Sequence, residues 1–399
     1  MIRGHDIMKK VLAINSGSSS FKYKLFSFPD EKVIASGMAD RVGLENAVFK
    51  IKLSNGREYI KNTNIPDQAA AVQLLMEDLK KFNVVKSLKE IAGVGHRVVN
   101  GGEIFKSSAI IDEKKLQQII DLGELAPLHN IPEATGIKAF MKIIPDVPQV
   151  AVFDTSYHTS LDPIHYLYSI PYKYYKKYGI RKYGAHGTSV DYVAPRAARM
   201  MGKNPNIVRL IVCHLGSGAS ITAVRHGKSF DTSMGFSPLT GVTMGTRSGD
   251  FDPSAVQRLM HKTGMSIDEV INMLNHESGM LGISGVSSDM RDLIDSKEKS
   301  AKLARRIFIN RVVRYVGAYA AEMNGVDGIV FTAGVGEHDP GVRAGVMSSL
   351  RYLGLDPDFK ANRTDGEKFI SKPHSKVKAL IVPTNEELMI AREVIRLTR

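Results

Sequence analysis

Residues 11–25, VLAINSGSSSFKYKL, read as a buried strand, a turn of glycine and serine, and a returning strand that alternates apolar with polar side chains. The plan recurs at residues 210–224, LIVCHLGSGASITAV, about half the chain later. Small residues after a buried strand let backbone N–H groups gather around an anion, because no side chain blocks the approach. The hydroxyls of Ser16, Ser18, Ser19 and Ser20 add donors, and Lys22 follows on the returning strand. One such turn is more often a plain hairpin than a phosphate site. Two copies favour phosphate binding and suggest two related halves facing a common cleft. Neither copy is a Walker loop, since no Gly-Lys-Ser/Thr follows the glycines and a strand comes next instead of a helix.

Outward from these hairpins, short apolar runs alternate with amphipathic stretches. The spacing predicts helices over residues 66–82, 252–274, 296–324 and 386–397, strands over 149–154, 328–332 and 379–383, and a further apolar run within 90–99. Pro66 suits a first helical turn, Asp252 and Asn385 suit N-caps, and Gly325 closes the long helix. Alternation of this kind indicates an α/β chain. At 399 residues the chain is too long for one core and suggests two or three domains. With 43% apolar and 24% charged residues it is neither disordered, nor fibrous, nor a coiled coil. No apolar run approaches the ~18 residues of a membrane span. The first residues lack a secretory pattern. The single cysteine, Cys213, excludes an internal disulfide and a multi-cysteine zinc site. The expectation is a cytoplasmic protein. Its net charge of +13 can attract anions, though a solvated surface explains most of the excess.

Further segments carry chemistry. In TMGTRSGD, 243–250, small neighbours leave Arg247 able to grip a phosphoryl or carboxylate group bidentately; a loop staple to Asp250 or Asp252 is equally compatible with the spacing. In AHG, 185–187, glycines on either side expose His186, although an isolated histidine is more often a polar surface or core residue. The lysines and tyrosines of 172–183 could contact single-stranded nucleic acid, but a solvated basic face explains them as well. GHRVVNGGE, 95–103, sets Arg97 beside Val98 and Val99, as a small carboxylate with an alkyl tail requires. Asp154 ends a strand, where α/β folds place ligand residues. SSDMRD, 287–292, and FTAGVGEH, 331–338, are weak signals by themselves.

Together with AVFDTSYH, DTSMGFSPLTG, GMLGISG and PTNEEL, these segments resemble the acetate kinase family of the acetate and sugar kinase/chaperone/actin superfamily, from Val11 to Leu397 and in the family's order. The resemblance implies two ribonuclease-H-like domains with an interdomain active-site cleft. They would span 1–154 with the C-terminal helix 386–399, and 155–385 as the nucleotide-binding domain. It implies reversible, ATP-dependent phosphorylation of acetate to acetyl phosphate, and a homodimer. Arg97 would bind the carboxylate, with Val99, Leu128 and Pro238 around the methyl. Asp154 is usually given the acid/base role, and His186 and Arg247 would stabilise the transferring phosphoryl group. Because acetate is ionised near neutral pH, Asp154 is expected here to act through charge placement. Asn15 and Glu386 would hold Mg2+, or Mn2+ in its place. ATP or ADP would contact Lys22, His214, Leu215, Gly216, Ser217, Gly218, Asp289, Met290, Arg291, Gly334, Val335, Gly336, Glu337 and His338.

Three positions depart from the family pattern. HLGNG reads HLGSG at Ser217, AGIGEN reads AGVGEH at His338, and YGFHG reads YGAHG at Ala185. The first two bear on the choice of phosphate donor. The third removes a phenyl ring from the acyl pocket, so that propionate or butyrate becomes the alternative substrate. A nucleotide-switched chaperone of the same fold would need a peptide-binding region, for which the chain has no spare segment. Neither a nucleic-acid partner nor a membrane partner is expected.

Overall fold

The computed structural model describes residues 8–17 and 19–399, with Leu128 as backbone only. The expectations for residues 1–7, for the Ser18 hydroxyl and for the Leu128 side chain lie outside the described residues. The chain forms two compact units, one ending at Ser156 and joined by Asn385–Arg399, the other Tyr157–Thr384.

The first unit carries an eight-stranded sheet: β1 Lys9–Ser16, β2 Ser20–Phe28, β3 Lys32–Asp40, β4 Val48–Leu53, β5 Glu58–Asn62, β6 Ile91–Val98, β7 Ala109–Ile110 and β8 Gln149–Phe153. Their spatial order is β5-β4-β3-β2-β1-β6-β8-β7. The second unit carries six: β9 Arg209–Leu215, β10 Ala219–Arg225, β11 Lys228–Thr232, β12 Gly328–Thr332, β13 Lys368–Phe369 and β14 Lys378–Ile381, ordered β11-β10-β9-β12-β14-β13. The duplication legible in the two hairpins extends to whole sheets. In each, three antiparallel strands (β1–β3 or β9–β11) are followed by two that run parallel to the first, β6 and β8 or β12 and β14.

Apolar side chains on these strands meet the helices. In the first unit Leu12, Ile14, Phe21 and Leu25 pack with Val72, Leu75 and Phe140; in the second, Ile211, Cys213, Ile221 and Phe331 pack with Phe308, Val312 and Val346. The helix Glu386–Leu397 comes so close to β6 that a Cβ on Gly95 would collide with Ile390, and one on Gly93 with Val394. Only glycine permits that approach.

Three helical boundaries differ from expectation. Pro66 stands outside its helix, which spans Gln68–Lys81 and is capped by the Asp67 carboxylate on Ala70 N–H at 2.8 Å. The stretch 252–274 is two helices, Pro253–Thr263 and Ile267–His276. Gly264 ends the first at φ 79°, and Ser266 with Glu269 restarts the second as a capping box, so an apolar period continued across a real break. The long helix is Lys299–Glu322, shorter than 296–324 at both ends. Among the described residues no helix is long and apolar enough to cross a membrane.

Candidate active site

In the first unit, neighbouring parallel strands bring three polar residues to one edge of the sheet. Ile14 of β1 lies opposite His96 of β6, and Val98 of β6 opposite Phe153 of β8. Asn15, Arg97 and Asp154 therefore emerge together at the carboxyl ends of their strands, where open α/β sheets bind ligands. Arg97 donates from Nε at 3.0 Å and from Nη2 at 2.6 Å to a single Asp154 oxygen. Its Nη1 lies 3.5 Å from Asn15 Oδ1. The arginine side chain keeps 20% of its surface exposed, while Asp154 is buried.

Two more acids close on this guanidinium. Glu133, from the helix Pro127–Ile143, has its Oε1 3.7 Å from Arg97 Nη1, and its Oε2 accepts the Val99 N–H at 3.0 Å. Glu386 opens the last helix behind Asn385, whose side chain caps it by accepting from Leu388 N–H at 3.2 Å. Burial pushes Glu386 up to about 7, with help from the charge of Asp154 and against the pull of Arg97. Burial likewise pushes Glu133 up to about 7, although Arg97 draws it down. Burial also works against the charge on Arg97, but Asp154, Glu133 and Glu386 outweigh it and hold the proton more tightly than usual. Three carboxylates thus face one cation. That surplus of negative charge, offered through oxygen donors alone, fits a hard divalent ion such as Mg2+. Lys22 stands opposite Asn15 in the β1–β2 ladder, on the same face and exposed.

A separate trio, His165, Asp231 and Glu322, also has its ligand atoms within 4.8 Å of one another. There Asp231 already takes Lys182 Nζ at 2.5 Å and the Thr232 N–H at 2.6 Å, which makes it an ion-pair cluster.

In the second unit, His186 caps the helix Gly187–Met200 in a left-handed conformation, φ 58°. Its Nδ1 contacts Ser220 Oγ at 3.0 Å and its ring stacks on His214 at 4.0 Å. His214 is held through Ser189, whose Oγ lies 2.8 Å both from His214 Nδ1 and from Thr384 Oγ1. Arg247 Nη1 donates to the Pro238 carbonyl at 3.4 Å. Both of the alternative staple partners are engaged elsewhere. Asp250 accepts from Gly241 N–H and from the Tyr315 hydroxyl, and Asp252 caps the helix Pro253–Thr263. A Cβ placed on Gly218 would lie 3.5 Å from His186 Nε2 and 3.7 Å from Arg247 Nη1. The imidazole and the guanidinium therefore converge on the glycine turn between β9 and β10.

Gly279 makes the Arg247 loop possible. It sits at φ 61°, and a Cβ there would run into the Met244 carbonyl and come within 2.7 Å of that of Arg247. The flanking N–H groups stitch the two segments together: Ser278 to Thr246 O at 2.9 Å and Met280 to Met244 O at 2.8 Å.

A cavity of about 490 Å³ opens beside this turn, lined by Gly216 and Ser217, by Asp289, Met290 and Arg291, and by Gly334, Val335 and His338. It unites three segments that are far apart in sequence. Asp289 pairs with Arg291 at 2.5 Å, and His338 Nδ1 lies 2.9 Å from Asp365. Leu215 and Gly336 are buried behind the turns, and Glu337 accepts from the N–H groups of Ala333 and Thr384. The buried Arg343 donates to the carbonyls of Gly336 and Glu337 at 3.0 and 2.7 Å.

The Acetokinase family model matches residues 10–392. The chain belongs to the acetokinase family. Among its relatives in that family is the acetate kinase of Bacillus cytotoxicus, 54% identical over 394 residues that make up 98% of this chain and 99% of that protein. The crystal structure of Porphyromonas gingivalis acetate kinase superposes with a TM-score of 0.94 at 40% identity, covering 98% of this chain and 100% of that one. A propionate kinase from Francisella tularensis superposes at 0.91, also at 40% identity, over 97% and 99% of the two chains.

Two features of this acetokinase-family site were missed in the sequence. Glu133 is the one acid of its helix and Arg343 the one charged residue of its own, and neither stands in a motif that marks it. A charge at the centre of an otherwise buried face was the only available signal.

Proposed function

We propose that the chain is an acetate kinase, transferring the γ-phosphoryl group of ATP reversibly to a carboxylate oxygen of acetate. The observation that carries the reading is the convergence of His186 and Arg247 on Gly218, beside a cavity large enough for a nucleotide. Phosphoryl transfer asks little covalent chemistry of a protein. It asks for positioning and for donors around the equatorial oxygens.

In the forward direction an acetate oxygen attacks the γ-phosphorus, the bond to the β,γ-bridging oxygen breaks, and that oxygen leaves with ADP. Acetate arrives ionised, so no base is required. Arg97 binds it through the donors that Asp154 leaves over, with Val99 on the side of the methyl group. Asp154 fixes the rotation of the Arg97 fork. His186 and Arg247 stabilise the moving phosphoryl group, each worth roughly 10²–10³ in rate. The nucleotide lies in the cavity along 214–218, 289–291 and 334–338, with Lys22 serving its phosphates. A magnesium ion held by the side-chain oxygens of Asn15 and Glu386 would supply neutralising charge to those phosphates. We further infer a cytoplasmic protein that forms a homodimer, the dimer supported by exposed apolar side chains such as Ile164, Tyr172 and Tyr178 on the second unit.

The experiment is steady-state turnover with acetate, propionate and butyrate against several phosphate donors, followed as acyl hydroxamate. Turnover with acetate and ATP that drops roughly 10²-fold or more in Arg247→Ala supports the reading. No turnover with any of the acids defeats it. A propionate-preferring enzyme is the second reading, favoured by the small Ala185 beside His186. One extra buried methylene is worth ~0.8 kcal/mol, so Ala185→Phe should lower the propionate-to-acetate ratio about fourfold. A ratio equal or higher in the variant rejects an enlarged pocket.

A further inference from the structure

Glu133 is almost fully buried, at 2% exposure, and its two carboxylate oxygens do different things. Oε2 accepts the N–H of Val99, the residue that ends the arginine strand's apolar run, at 3.0 Å. Oε1 faces Arg97 Nη1 at 3.7 Å. Three residues earlier on the same helix, buried Asn130 holds the next peptide. Its Oδ1 accepts from Asn100 N–H at 3.1 Å, and its Nδ2 donates to Asn100 O at 2.8 Å. Asn100 in turn accepts the Gly102 N–H at 2.8 Å through its own side chain. Residues i and i+3 lie on one helix face, so a single face of Pro127–Ile143 grips the backbone on leaving β6.

A glutamine would satisfy the Val99 N–H equally well. Burying a carboxylate there instead is costly unless its charge is used, and among the described residues the cation paired with it is Arg97. Asp154 sets the rotation of that guanidinium at its Nε–Nη2 edge, but through one shared oxygen about which the fork can still tilt, and Asn15 Oδ1 restrains Nη1 weakly, at 3.5 Å. A second acid at Nη1 removes the tilt.

We propose that Glu133 is a positioning residue for the carboxylate substrate, fixing the Arg97 fork and the Val99 backbone in a single contact. The proposal rests on the reading that Arg97 binds the carboxylate. Glu133→Gln keeps an acceptor for Val99 by turning its amide N–H₂, a donor, toward Arg97. The KM for acetate should rise about tenfold, with the KM for ATP changed less than about twofold. Glu133→Asp restores the charge without the reach and should show the same split.

Both variants are measured beside Arg97→Ala and the double variant, with thermal melting as a check on folding. In the Arg97→Ala background, Glu133→Gln should cost nothing further in kcat/KM for acetate, because the group it positions is gone. An unchanged or lowered acetate KM in folded Glu133→Gln overturns the proposal. So does an equal rise in both KM values, or a fully additive double variant. If Arg97→Ala itself leaves acetate KM unaltered, the fault lies instead with the assignment of Arg97. Should Glu133→Gln fail to fold, Glu133→Asp carries the same comparison.

Discussion

Arg97 gives two of its donors, at 3.0 and 2.6 Å, to one oxygen of Asp154. A carboxylate engaged in this way is fitted to orient a cation. It is poorly placed to take a proton from a substrate that carries none.

Asp154→Asn should therefore weaken acetate binding by misorienting Arg97. We expect kcat/KM for acetate to fall roughly 10²-fold, chiefly through KM, with the pH profile of kcat keeping its wild-type shape. Initial rates from pH 5.5 to 8.5 check this. Unchanged acetate KM, combined with loss of the acidic limb of the kcat profile, would instead make Asp154 a proton-transfer group.

The Arg247 loop closes over Gly279, whose positive φ and close carbonyl neighbours leave no room for a methyl. Gly279→Ala should displace the loop and lower kcat at least tenfold, a misplacement effect of the kind expected when a phosphoryl stabiliser moves. Arg97 lies outside that segment, so acetate KM should stay within about twofold of wild type. A variant with wild-type kcat would show that the loop tolerates the methyl.

His96 is buried against Phe140, with Nε2 2.8 Å from Gln149 Oε1. Burial, opposed by that hydrogen bond, pushes the imidazole down from 6.5 to about 4. The unfolded chain then binds more protons than the folded one below pH 6.5. His96 accordingly contributes stability that is present above pH 6.5 and lost as the pH falls through 4. By pH 5 the loss is about 2 kcal/mol. Urea unfolding at pH 7 and pH 5 should therefore show His96→Gln gaining about 2 kcal/mol on the wild type between the two pH values, because the raised Glu133 and Glu386, which protonate over the same range, act alike in both proteins. Equal slopes in the two proteins would mean that His96 titrates normally.

Much of this was readable from residue order. The twin glycine–serine hairpins announced two related sheets, the end of its strand named Asp154, and the neighbouring valines named Arg97, whereas Asn15 followed only from the family resemblance. The helical break at Gly264 was harder, since apolar spacing persisted on both sides of a residue that adopts φ 79°. Glu133 was invisible for a different reason. An acid three places beyond Asn130 looks like part of a solvated helix face until the fold turns that face toward Val99 and Arg97. Arg343 is similar: its partners Gly336, Glu337 and Asn362 are backbone and amide oxygens that no charge pattern reveals.

The most direct test of single-step transfer to a carboxylate is the configuration at phosphorus. ATP made chiral at the γ-phosphoryl group with oxygen isotopes is turned over with acetate, and the acetyl phosphate is analysed. One in-line displacement predicts inversion. Retention would mean that an enzyme side chain carries the phosphoryl group between donor and acceptor, and would contradict the roles assigned here to His186, Arg247 and Arg97.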